Sequence, residues 1–554
     1  MLDELNMPND LSTLDLSSLN VVAKEVRDRI ILTTLKNGGH LASNLGVVEL
    51  TLALLSVFDP LKDRILFDIG HQCYAYKILT DRRDRFDGLR ETRGISGFPD
   101  PKESVYDKLV AGHAGTALPE ALGYAAADKA MGKKYENVTV IGDGALANGH
   151  TLEALNNICF YPKQIIVFNE NDYSISPADG LLCRRFASFT KPFVGEIDQD
   201  TLKDIQLAYI GRVDGHDIKA LKEAFEKAKE YDGNVLIHVK TTKGKGYALA
   251  EDDPVSKHTV GGGASFSDNL GDALISLAEK NDRIAVVTAG MKDGNGLGEF
   301  ARRFPNRFFD TGIAEGYAVS FACALARAGM KPYVVIYATF FTRAQDQMLI
   351  EAKNLPVTFI ANRGGFVNND GETHQGIYSY QSFSMIPDME LLYPSGLEEY
   401  ERMIAWSENY TEPLALVLPK QFYSIASDFH CPDQQYVVKK EGSKTVIAAL
   451  GALAVKIATA AAEILELSGL KVDVLNVRSP KRIGEFDFQG KDVYTYEEGY
   501  TENGFAAYLS LFIRLKGSFG VTKTVAHGAL EEILYDQGLS VGKIVEKIKE
   551  DYEA

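Results

Sequence analysis

The chain has few of the residues on which disulfide-rich or zinc-stabilised proteins depend. It contains one tryptophan and five cysteines in 554 residues, with no CxxC pair. A disulfide framework or a cysteine-based metal site is therefore not indicated. Because most of the cysteines stand beside apolar residues, we expect buried, reduced thiols in a cytoplasmic protein. The five positions are Cys73, Cys159, Cys183, Cys323 and Cys431.

The chain also has no excess of basic charge. Its 59 lysines and arginines face 76 acidic residues, which gives a net charge of −17 and an isoelectric point near 5.2. This balance argues against nucleic acid or an anionic membrane as a principal partner. The acidic first residues indicate no signal or transit peptide. The longest apolar stretch, residues 445–465, is interrupted by Gly451, Lys456 and Glu463. It predicts a strand and an amphipathic helix, not a membrane span.

Two common phosphate-binding fingerprints are missing as well. The Walker pattern G-x-x-x-x-G-K-[ST] does not occur, and Gly142, Gly144 and Gly149 are spaced GxGxxxxG, unlike a dinucleotide fingerprint. Residues 138–141 (VTVI) nevertheless predict a buried strand, and residues 150–158 predict a helix. The glycines thus lie in a strand-to-helix turn. Such a turn offers backbone N–H groups and the positive end of a helix to a phosphate.

An acidic residue in this turn indicates a metal ion. Asp143 would repel a bare diphosphate, whereas a divalent cation can bridge a carboxylate to phosphate oxygens. The next predicted strand, residues 164–168, leads to Asn171, which brings an amide oxygen to the same sheet edge. The sequence therefore predicts a metal-bridged diphosphate site. The alternative is a tight turn with an exposed aspartate and an unrelated asparagine.

Strands rich in valine and isoleucine alternate with helix-length segments throughout the chain, a pattern typical of parallel sheets covered by helices. We predict an α/β protein of three doubly wound domains with mainly parallel sheets, at residues 1–265, 266–430 and 431–554. Polar segments at 251–267 and 431–442 are the predicted linkers. The predicted strands are RILFDIG, NVTVIG, QIIVFN, NVLIHVKT, RIAVVTAG, KPYVVIYA, PVTFIAN, PLALVLP, TVIAALG, KVDVLNV and DVYTYEEG.

With the turn placed, further segments become recognisable, and they cover nearly the whole chain. They are HLASNLGVVELT from His40, DIGHQCYAYKILTDRRDRF from Asp68, AGHAGTALPEALG from Ala111, VIGDGA, NENDYSIS, YIGRVDGHD, TTKGKGYALAEDDPVSKH, FFDTGIAEGYAVS, IYATFFTRAQDQ and NRGGFVNNDGETHQG. In this order they resemble the 1-deoxy-D-xylulose-5-phosphate synthase family of the transketolase superfamily.

The resemblance implies a transketolase-like homodimer that uses thiamine diphosphate and Mg²⁺. The first domain would bind the diphosphate, the second the aminopyrimidine, and the third would correspond to the transketolase C-terminal domain. Asp143, Asn171 and the backbone carbonyl of Tyr173 match the metal ligands. The positions that match cofactor contacts are His71, Gly112, His113, Ala114, Gly144, Ala145, Asn171, Tyr247, Glu315 and Phe340.

The resemblance also assigns catalytic and substrate-binding residues. Glu315 matches the glutamate that acts on the aminopyrimidine, and its alternative is an acidic residue at a helix N-terminus. His40, His71 and His374 are further catalytic candidates. The substrate-binding candidates are Tyr337, Arg343, Arg363, Asp370, His258 and Lys420. For the arginines the alternative is a surface ion pair, and for Tyr337, Phe340 and Asp370 it is core packing. Surface or core roles are expected for His150, His216, His238, His430 and His527.

The implied reaction is decarboxylation of pyruvate and transfer of its remaining two carbons to D-glyceraldehyde 3-phosphate, a sugar-phosphate aldehyde. The products would be 1-deoxy-D-xylulose 5-phosphate and CO₂. Three alternatives stay open at this point: transketolase-type ketol transfer, a pyruvate carboligase with a different aldehyde acceptor, and a cofactor-binding protein without turnover.

The chain departs from the family pattern in four places. The usual G-H-S-S is Gly112-His113-Ala114-Gly115, and the Gln-His after the glutamate is Gly316-Tyr317. A P-R-G element is Pro419-Lys420-Gln421, which keeps the positive charge but loses the arginine fork. The segment between residues 176 and 209 is shorter than in typical members.

Overall fold

The computed structural model describes residues 1–173, 180–261, 267–423, 435–439 and 443–553. The chain divides into two compact units. Unit 1 comprises residues 1–263 with 312–314, and unit 2 comprises residues 264–311 with 315–554. Unit 2 contains two of the large sheets. The division into three domains stays a prediction.

Unit 1 is built on a parallel sheet of five strands in the order β2-β3-β4-β6-β5. Four of these strands match the sequence prediction. The fifth, AYIGRVD, was not predicted, because a glycine and charged residues interrupt its apolar run. The strands of unit 1 are β1 Gly39–His40, β2 Arg64–Phe67, β3 Asn137–Gly142, β4 Ile165–Glu170, β5 Ala208–Asp214, β6 Val235–Lys240 and β7 Thr259–Val260.

Helices cover both faces of this sheet. Alternate residues of a strand point to opposite faces; Val140 accordingly joins one apolar core and Ile141 the other. The first core includes residues of α1, α3 and α9, and the second includes residues of α5 and α7. The helices of unit 1 are α1 Leu16–Asn37, α2 Ala42–Leu45, α3 Val48–Val57, α4 Tyr74–Ile78, α5 Ala117–Ala130, α6 Asp143–Leu146, α7 Gly149–Asn157, α8 Leu181–Ala187, α9 Ile218–Glu230 and α10 Ala248–Asp252.

The first predicted linker is largely folded. Within residues 251–267, β7 pairs antiparallel with β1, and Leu41 donates its backbone N–H to the carbonyl of His258 at 3.1 Å. The linker prediction is therefore wrong for residues 251–260, and residues 262–266 lie outside the described part of the chain. Polar and glycine-rich composition misled the prediction, because these residues pair through their backbones.

Unit 2 begins with a parallel sheet of six strands in the order β12-β13-β11-β10-β8-β9. Its four long strands were predicted, and the three-residue strands β9 and β12 at its two edges were not. The strands are β8 Ile284–Thr288, β9 Phe308–Asp310, β10 Lys331–Tyr337, β11 Thr358–Gly364, β12 Glu390–Leu392 and β13 Leu414–Pro419. The helices are α11 Ser267–Ala278, α12 Gly298–Arg303, α13 Glu315–Arg327, α14 Gln345–Glu351, α15 Ser379–Ser384 and α16 Leu397–Ser407.

A second sheet of unit 2 has the order β14-β16-β15-β17-β18, in which only β14 is antiparallel. One apolar cluster contains residues of both sheets, such as Val334 and Val446. The strands are β14 Tyr436–Lys439, β15 Thr445–Leu450, β16 Val472–Asn476, β17 Asp492–Tyr500 and β18 Gly517–Val521. The helices are α17 Ala452–Leu467, α18 Phe505–Leu509, α19 Leu530–Asp536 and α20 Val541–Glu553. The α/β class with mainly parallel sheets is confirmed.

Several local predictions are decided by these elements. Residues 445–465 form β15 and most of α17, as expected, and no helix of the described chain is long and apolar enough to cross a membrane. The second predicted linker, residues 431–442, contributes β14, and its remaining described residue precedes that strand.

The cysteine prediction is wrong for Cys159, which is exposed at a helix end, and for the half-buried Cys183. Cys431 and His430 lie outside the described residues.

Candidate active site

The three predicted metal ligands lie together at the carboxyl edge of the unit 1 sheet. Strands β3 and β4 are neighbours, with Gly142 opposite Asn169, so the segments that leave them emerge side by side. The backbone N–H of Asn171 donates to the two carboxylate oxygens of Asp143 at 3.1 and 3.2 Å. The amide oxygen of Asn171 accepts the N–H of Tyr173 at 3.1 Å. The Asp143 carboxylate, the Asn171 amide and the backbone of Tyr173 thus lie side by side at this edge.

Asp143 is only 3% exposed, and burial raises the pKa of its carboxyl to about 7. The hydrogen bond from Asn171 opposes this shift. Oxygen donors of this kind suit Mg²⁺, and a bound cation would favour the charged carboxylate. Gly144 and Ala145 follow within α6, where Ala145 is buried and Gly144 is half-exposed. The residues present therefore fit a magnesium-bridged diphosphate.

The turn at residues 112–115, which contains three of the predicted cofactor contacts, is held in place by a buried aspartate. The carboxylate of Asp68 accepts the N–H of Gly115 at 2.8 Å and that of Ala117 at 3.0 Å. Gly115 has a φ of 79°, and a Cβ there would lie 2.2 Å from the side-chain oxygen of Asn148. Glycine is thus required at this position of the turn, which gives a packing reason for one of the departures from the family pattern.

Three histidines from distant parts of the sequence form a cluster in unit 1. The ring centroids of His40, His71 and His258 lie 5.4–5.7 Å apart. Strands β1 and β7 bring His40 close to His258, and the side-chain amide of Asn44 donates to the carbonyls of both His40 and His71 at 2.7 Å. The side chain of Asn44 therefore fixes the backbone of His40 relative to that of His71.

Two imidazoles of this cluster, those of His71 and His258, have lowered pKa values and are therefore neutral near pH 7. Burial, and then the positive charge of Lys243, lower the pKa of His71 to about 3. The same two causes lower the pKa of His258 well below its ordinary value. A neutral imidazole can donate a hydrogen bond from one nitrogen and accept at the other, which suits the orientation of a carbonyl or hydroxyl group.

Sequence reasoning assigned no role to Lys243, although the residue stands within a recognised segment. It is 4% exposed and follows β6, the strand next to β4. Burial lowers the pKa of its ammonium to about 8 against the attraction of Asp143, and the ammonium lies 5.2 Å from the ring centre of Tyr173. Its place in a recognised segment shortly after β6 was the available signal, which does not reveal its burial.

Substituting Lys243 by methionine should weaken thiamine diphosphate binding by roughly tenfold or more, since a charge-assisted hydrogen bond is worth about 1.5–3 kcal/mol. Calorimetric titration of the cofactor into the magnesium-loaded protein measures this change. Lys245→Met, in the same segment but less buried, is the matched control. Equal affinities for both variants would remove Lys243 from the cofactor site.

Tyr247 lies at the N-terminus of α10 and is half-buried against the apolar core of unit 1. Among the remaining histidines of this unit, His238 accepts or donates in contacts with Tyr209 and Glu170 at 2.8 and 2.7 Å, and His216 contacts Glu49. His150 is exposed. These three positions thus have the core or surface surroundings expected of them.

In unit 2, Glu315 begins α13 and is 5% exposed. Burial raises the pKa of its carboxyl, and the positive charge of Arg343 opposes the shift. Arg343 therefore lies within electrostatic reach of Glu315. At the next position, a Cβ on Gly316 would lie 2.9 Å from the side-chain oxygen of Gln347, whereas Tyr317 is 60% exposed.

Aromatic side chains connect two further candidates. Phe340 lies in the 3-10 turn at residues 338–344, its ring parallel to that of Tyr337 at 6.1 Å. The ring of His374 meets Phe340 edge-on at 5.7 Å, and its Nδ1 lies 3.1 Å from the hydroxyl of Thr373. The alternative of core packing therefore holds in part for Tyr337 and Phe340, whose rings also border the polar candidates.

Three of the charged substrate candidates, Arg363, Asp370 and Lys420, form one group. The carboxylate of Asp370 lies 3.5 Å from Arg363 and 3.6 Å from Lys420. The guanidinium of Arg363 stands over the ring of Tyr337 at 4.2 Å, and Lys420 donates to the carbonyl of Val367 at 3.0 Å. Two cations and one carboxylate leave a net positive charge, which suits a phosphate group.

Comparisons with known proteins show which family models the chain matches. Residues 2–197 and 182–241 match the family model described as 1-deoxy-D-xylulose-5-phosphate synthase; residues 263–425 match the transketolase pyrimidine binding domain, and residues 434–542 the transketolase C-terminal domain. Together with the parallel sheets, these matches define a transketolase-like α/β enzyme.

Two relatives decide the family. The 1-deoxy-D-xylulose-5-phosphate synthase of Clostridium beijerinckii is 39% identical over 91% of each chain. That of Caldanaerobacter subterraneus is 37% identical over 100% of this chain and 99% of the relative. The chain belongs to the 1-deoxy-D-xylulose-5-phosphate synthase family. Among solved structures, transketolase from Campylobacter jejuni matches 97% of this chain at 18% identity with a TM-score of 0.48.

Proposed function

We propose that the protein joins pyruvate, with loss of CO₂, to D-glyceraldehyde 3-phosphate and so forms 1-deoxy-D-xylulose 5-phosphate. The observation that carries the proposal is the 39% identity to a synthase of that name over 91% of both chains. The retained Asp143, Asn171 and Glu315 support it, because a protein without turnover has no need of this set. The ketol-transfer alternative is not favoured by these relatives.

The cofactor in this proposal is thiamine diphosphate with Mg²⁺. When bound, it supplies the carbon centre at which pyruvate can lose CO₂. Asp143, Asn171 and Tyr173 would hold the metal, and the turn at residues 112–115 with Gly144, Ala145 and Tyr247 would surround the cofactor. The hydrogen bonds that Asp68 accepts from Gly115 and Ala117 would hold this turn in place before the cofactor binds.

The proton chemistry is proposed for two groups of side chains. Glu315, kept in a buried position at the start of α13, would hold or release a proton at the aminopyrimidine. His40, His71 and His258 would orient the substrate oxygens, with His113 on the neighbouring turn. His374 would act from unit 2, where Phe340 and Thr373 fix its ring.

The phosphate of the acceptor would bind to Arg363 and Lys420, with Tyr337 and Asp370 orienting the two cations. Lys420→Met should raise the KM for D-glyceraldehyde 3-phosphate roughly tenfold, because a charge-assisted contact is lost. The KM for pyruvate should stay constant. Steady-state kinetics test this, with the exposed Lys523→Met as the control. An unchanged acceptor KM would contradict the assignment.

We further infer a cytoplasmic homodimer whose product serves isoprenoid and thiamine biosynthesis. The support is the family alone. Light scattering coupled to size-exclusion chromatography measures the dimer, and a monomer in the presence of cofactor would contradict it.

The deciding experiment is mass spectrometry of the products that the purified protein forms from labelled pyruvate and mixed sugar phosphates, with Mg²⁺ and thiamine diphosphate. Labelled CO₂ and 1-deoxy-D-xylulose 5-phosphate are expected. Sedoheptulose 7-phosphate from xylulose 5-phosphate and ribose 5-phosphate, without CO₂, would establish ketol transfer instead. CO₂ with a different ligation product would establish another carboligase. Stabilisation by the cofactor with no product would indicate a protein without turnover.

A further inference from the structure

The end of β11 and the loop that follows it, residues 363–371, carry Arg363 and Asp370 in a backbone conformation that needs support. Arg363 and Asn368 have φ values of 60° and 61°, a region that residues with a side chain seldom occupy. Gly365 and Gly371 have φ values of 74° and 90°. A segment with four such residues keeps its shape only when surrounding contacts determine it.

One carboxylate of the neighbouring sheet supplies such contacts. Glu498 lies near the end of β17, and its carboxylate lies against the backbone of Gly365 in the loop. The same carboxylate accepts the N–H of Leu453, at the start of α17, at 3.0 Å. One side chain therefore connects the loop after β11 to a strand and a helix of the second unit 2 sheet.

The approach of Glu498 to the loop is close enough to require glycine. A Cβ on Gly365 would lie 2.1 Å from a carboxylate oxygen of Glu498, and a Cβ on Gly451 would lie 2.7 Å from the other. The side chain of Phe366 is 4% exposed and packs in the apolar core of the second unit 2 sheet, with Ile447 and Leu453. The loop is thus anchored on that sheet by a polar and an apolar contact only three residues from Arg363.

We propose that Glu498 is a positioning residue for acceptor binding, which acts by holding the loop at residues 363–371 in the shape that presents Arg363 and Asp370. The inference rests on the proposed function, since it assigns these two residues to the acceptor phosphate. It gives the second unit 2 sheet a part in substrate binding beyond packing.

Glu497 offers a matched control on the same strand. It is 1% exposed and also accepts two backbone N–H groups, those of Phe505 and Ala506 at 2.9 and 2.8 Å. Both donors belong to α18, which packs against β17 and does not carry acceptor residues. Loss of Glu497 therefore disturbs that layer without releasing the loop after β11.

The test compares Glu498→Ala, Glu498→Gln and Glu497→Gln by hydrogen exchange of the peptide that covers residues 363–371, followed by kinetics with both substrates. In Glu498→Ala we expect faster exchange in this peptide and a KM for D-glyceraldehyde 3-phosphate raised roughly tenfold, with the KM for pyruvate unchanged. Glu498→Gln, which keeps one accepting oxygen, should lie between Glu498→Ala and the natural protein. Glu497→Gln should match the natural protein in both measurements.

The inference is overturned if residues 363–371 exchange hydrogen in both Glu498 variants as slowly as in the natural protein. It is also overturned if both variants keep the natural KM for D-glyceraldehyde 3-phosphate. If the alanine variant does not fold, the glutamine variant decides alone by the same two measurements. If the natural protein forms no 1-deoxy-D-xylulose 5-phosphate, the proposed function fails, and the exchange of residues 363–371 still decides whether Glu498 holds the loop.

Discussion

Replacing Glu315 by alanine should lower kcat by at least about 10²-fold, the usual contribution of a positioned acid–base group. The carboxyl is buried at the start of α13, and burial raises its pKa. A buried carboxyl of this kind can exchange a proton with a heterocycle near neutral pH. The measurement is CO₂ release under saturating thiamine diphosphate, with circular dichroism to verify the fold.

Two further variants separate chemistry from helix stability. Glu315→Gln keeps the shape and hydrogen-bonding reach of the side chain but cannot ionise, so it should lose nearly as much activity as the alanine variant. Glu299→Ala removes an exposed acidic residue from the first turn of α12 and should leave kcat unchanged. Full turnover of Glu315→Ala would show that this glutamate only complements a helix N-terminus.

Replacing Asp143 by asparagine should abolish the thermal stabilisation that Mg²⁺ and thiamine diphosphate confer, and activity with it. The loss arises because a neutral amide attracts a divalent cation far less than a carboxylate does, and Asp143 is the acidic member of the predicted ligand set. The cofactor-free variant should melt no lower than the natural protein, since a buried carboxylate is costly without a bound cation. Differential scanning fluorimetry with and without cofactor gives both values.

Asp232→Asn removes the charge of an exposed residue of unit 1 and is the control. This variant should retain the full increase in melting temperature that the cofactor causes. An Asp143→Asn protein that is still stabilised by the cofactor and still active would remove Asp143 from the metal site. The metal-bridged diphosphate would then need other ligands.

Much of the fold could be predicted because long valine- and isoleucine-rich strands alternate with helices. Every predicted strand exists. The missed strands are short or polar: β9 and β12 have three residues each, and β5 contains Gly211, Arg212 and Asp214. Their pairing depends on neighbouring strands more than on their own composition, so local patterns do not reveal them.

The site was predictable where the chain itself brings residues together. Asp143 and Asn171 follow neighbouring parallel strands, and the rule that strand ends share one edge sufficed to place them. His40 and His258 are brought together by the pairing of β1 with β7. The segment that contains β7 has a polar, glycine-rich composition, which had predicted a linker. Lys243 has no local pattern that distinguishes it from other lysines, and its burial becomes visible only in three dimensions.

The pairing of β1 with β7 also couples two stretches of the chain that are far apart in the sequence. A Cβ on Gly261 would lie 2.6 Å from the Cα of Gly38, so neither stretch can gain a side chain there independently. A substitution near residue 260 would displace the imidazole at residue 40 without touching it. Comparative or engineering studies should therefore vary these two stretches jointly.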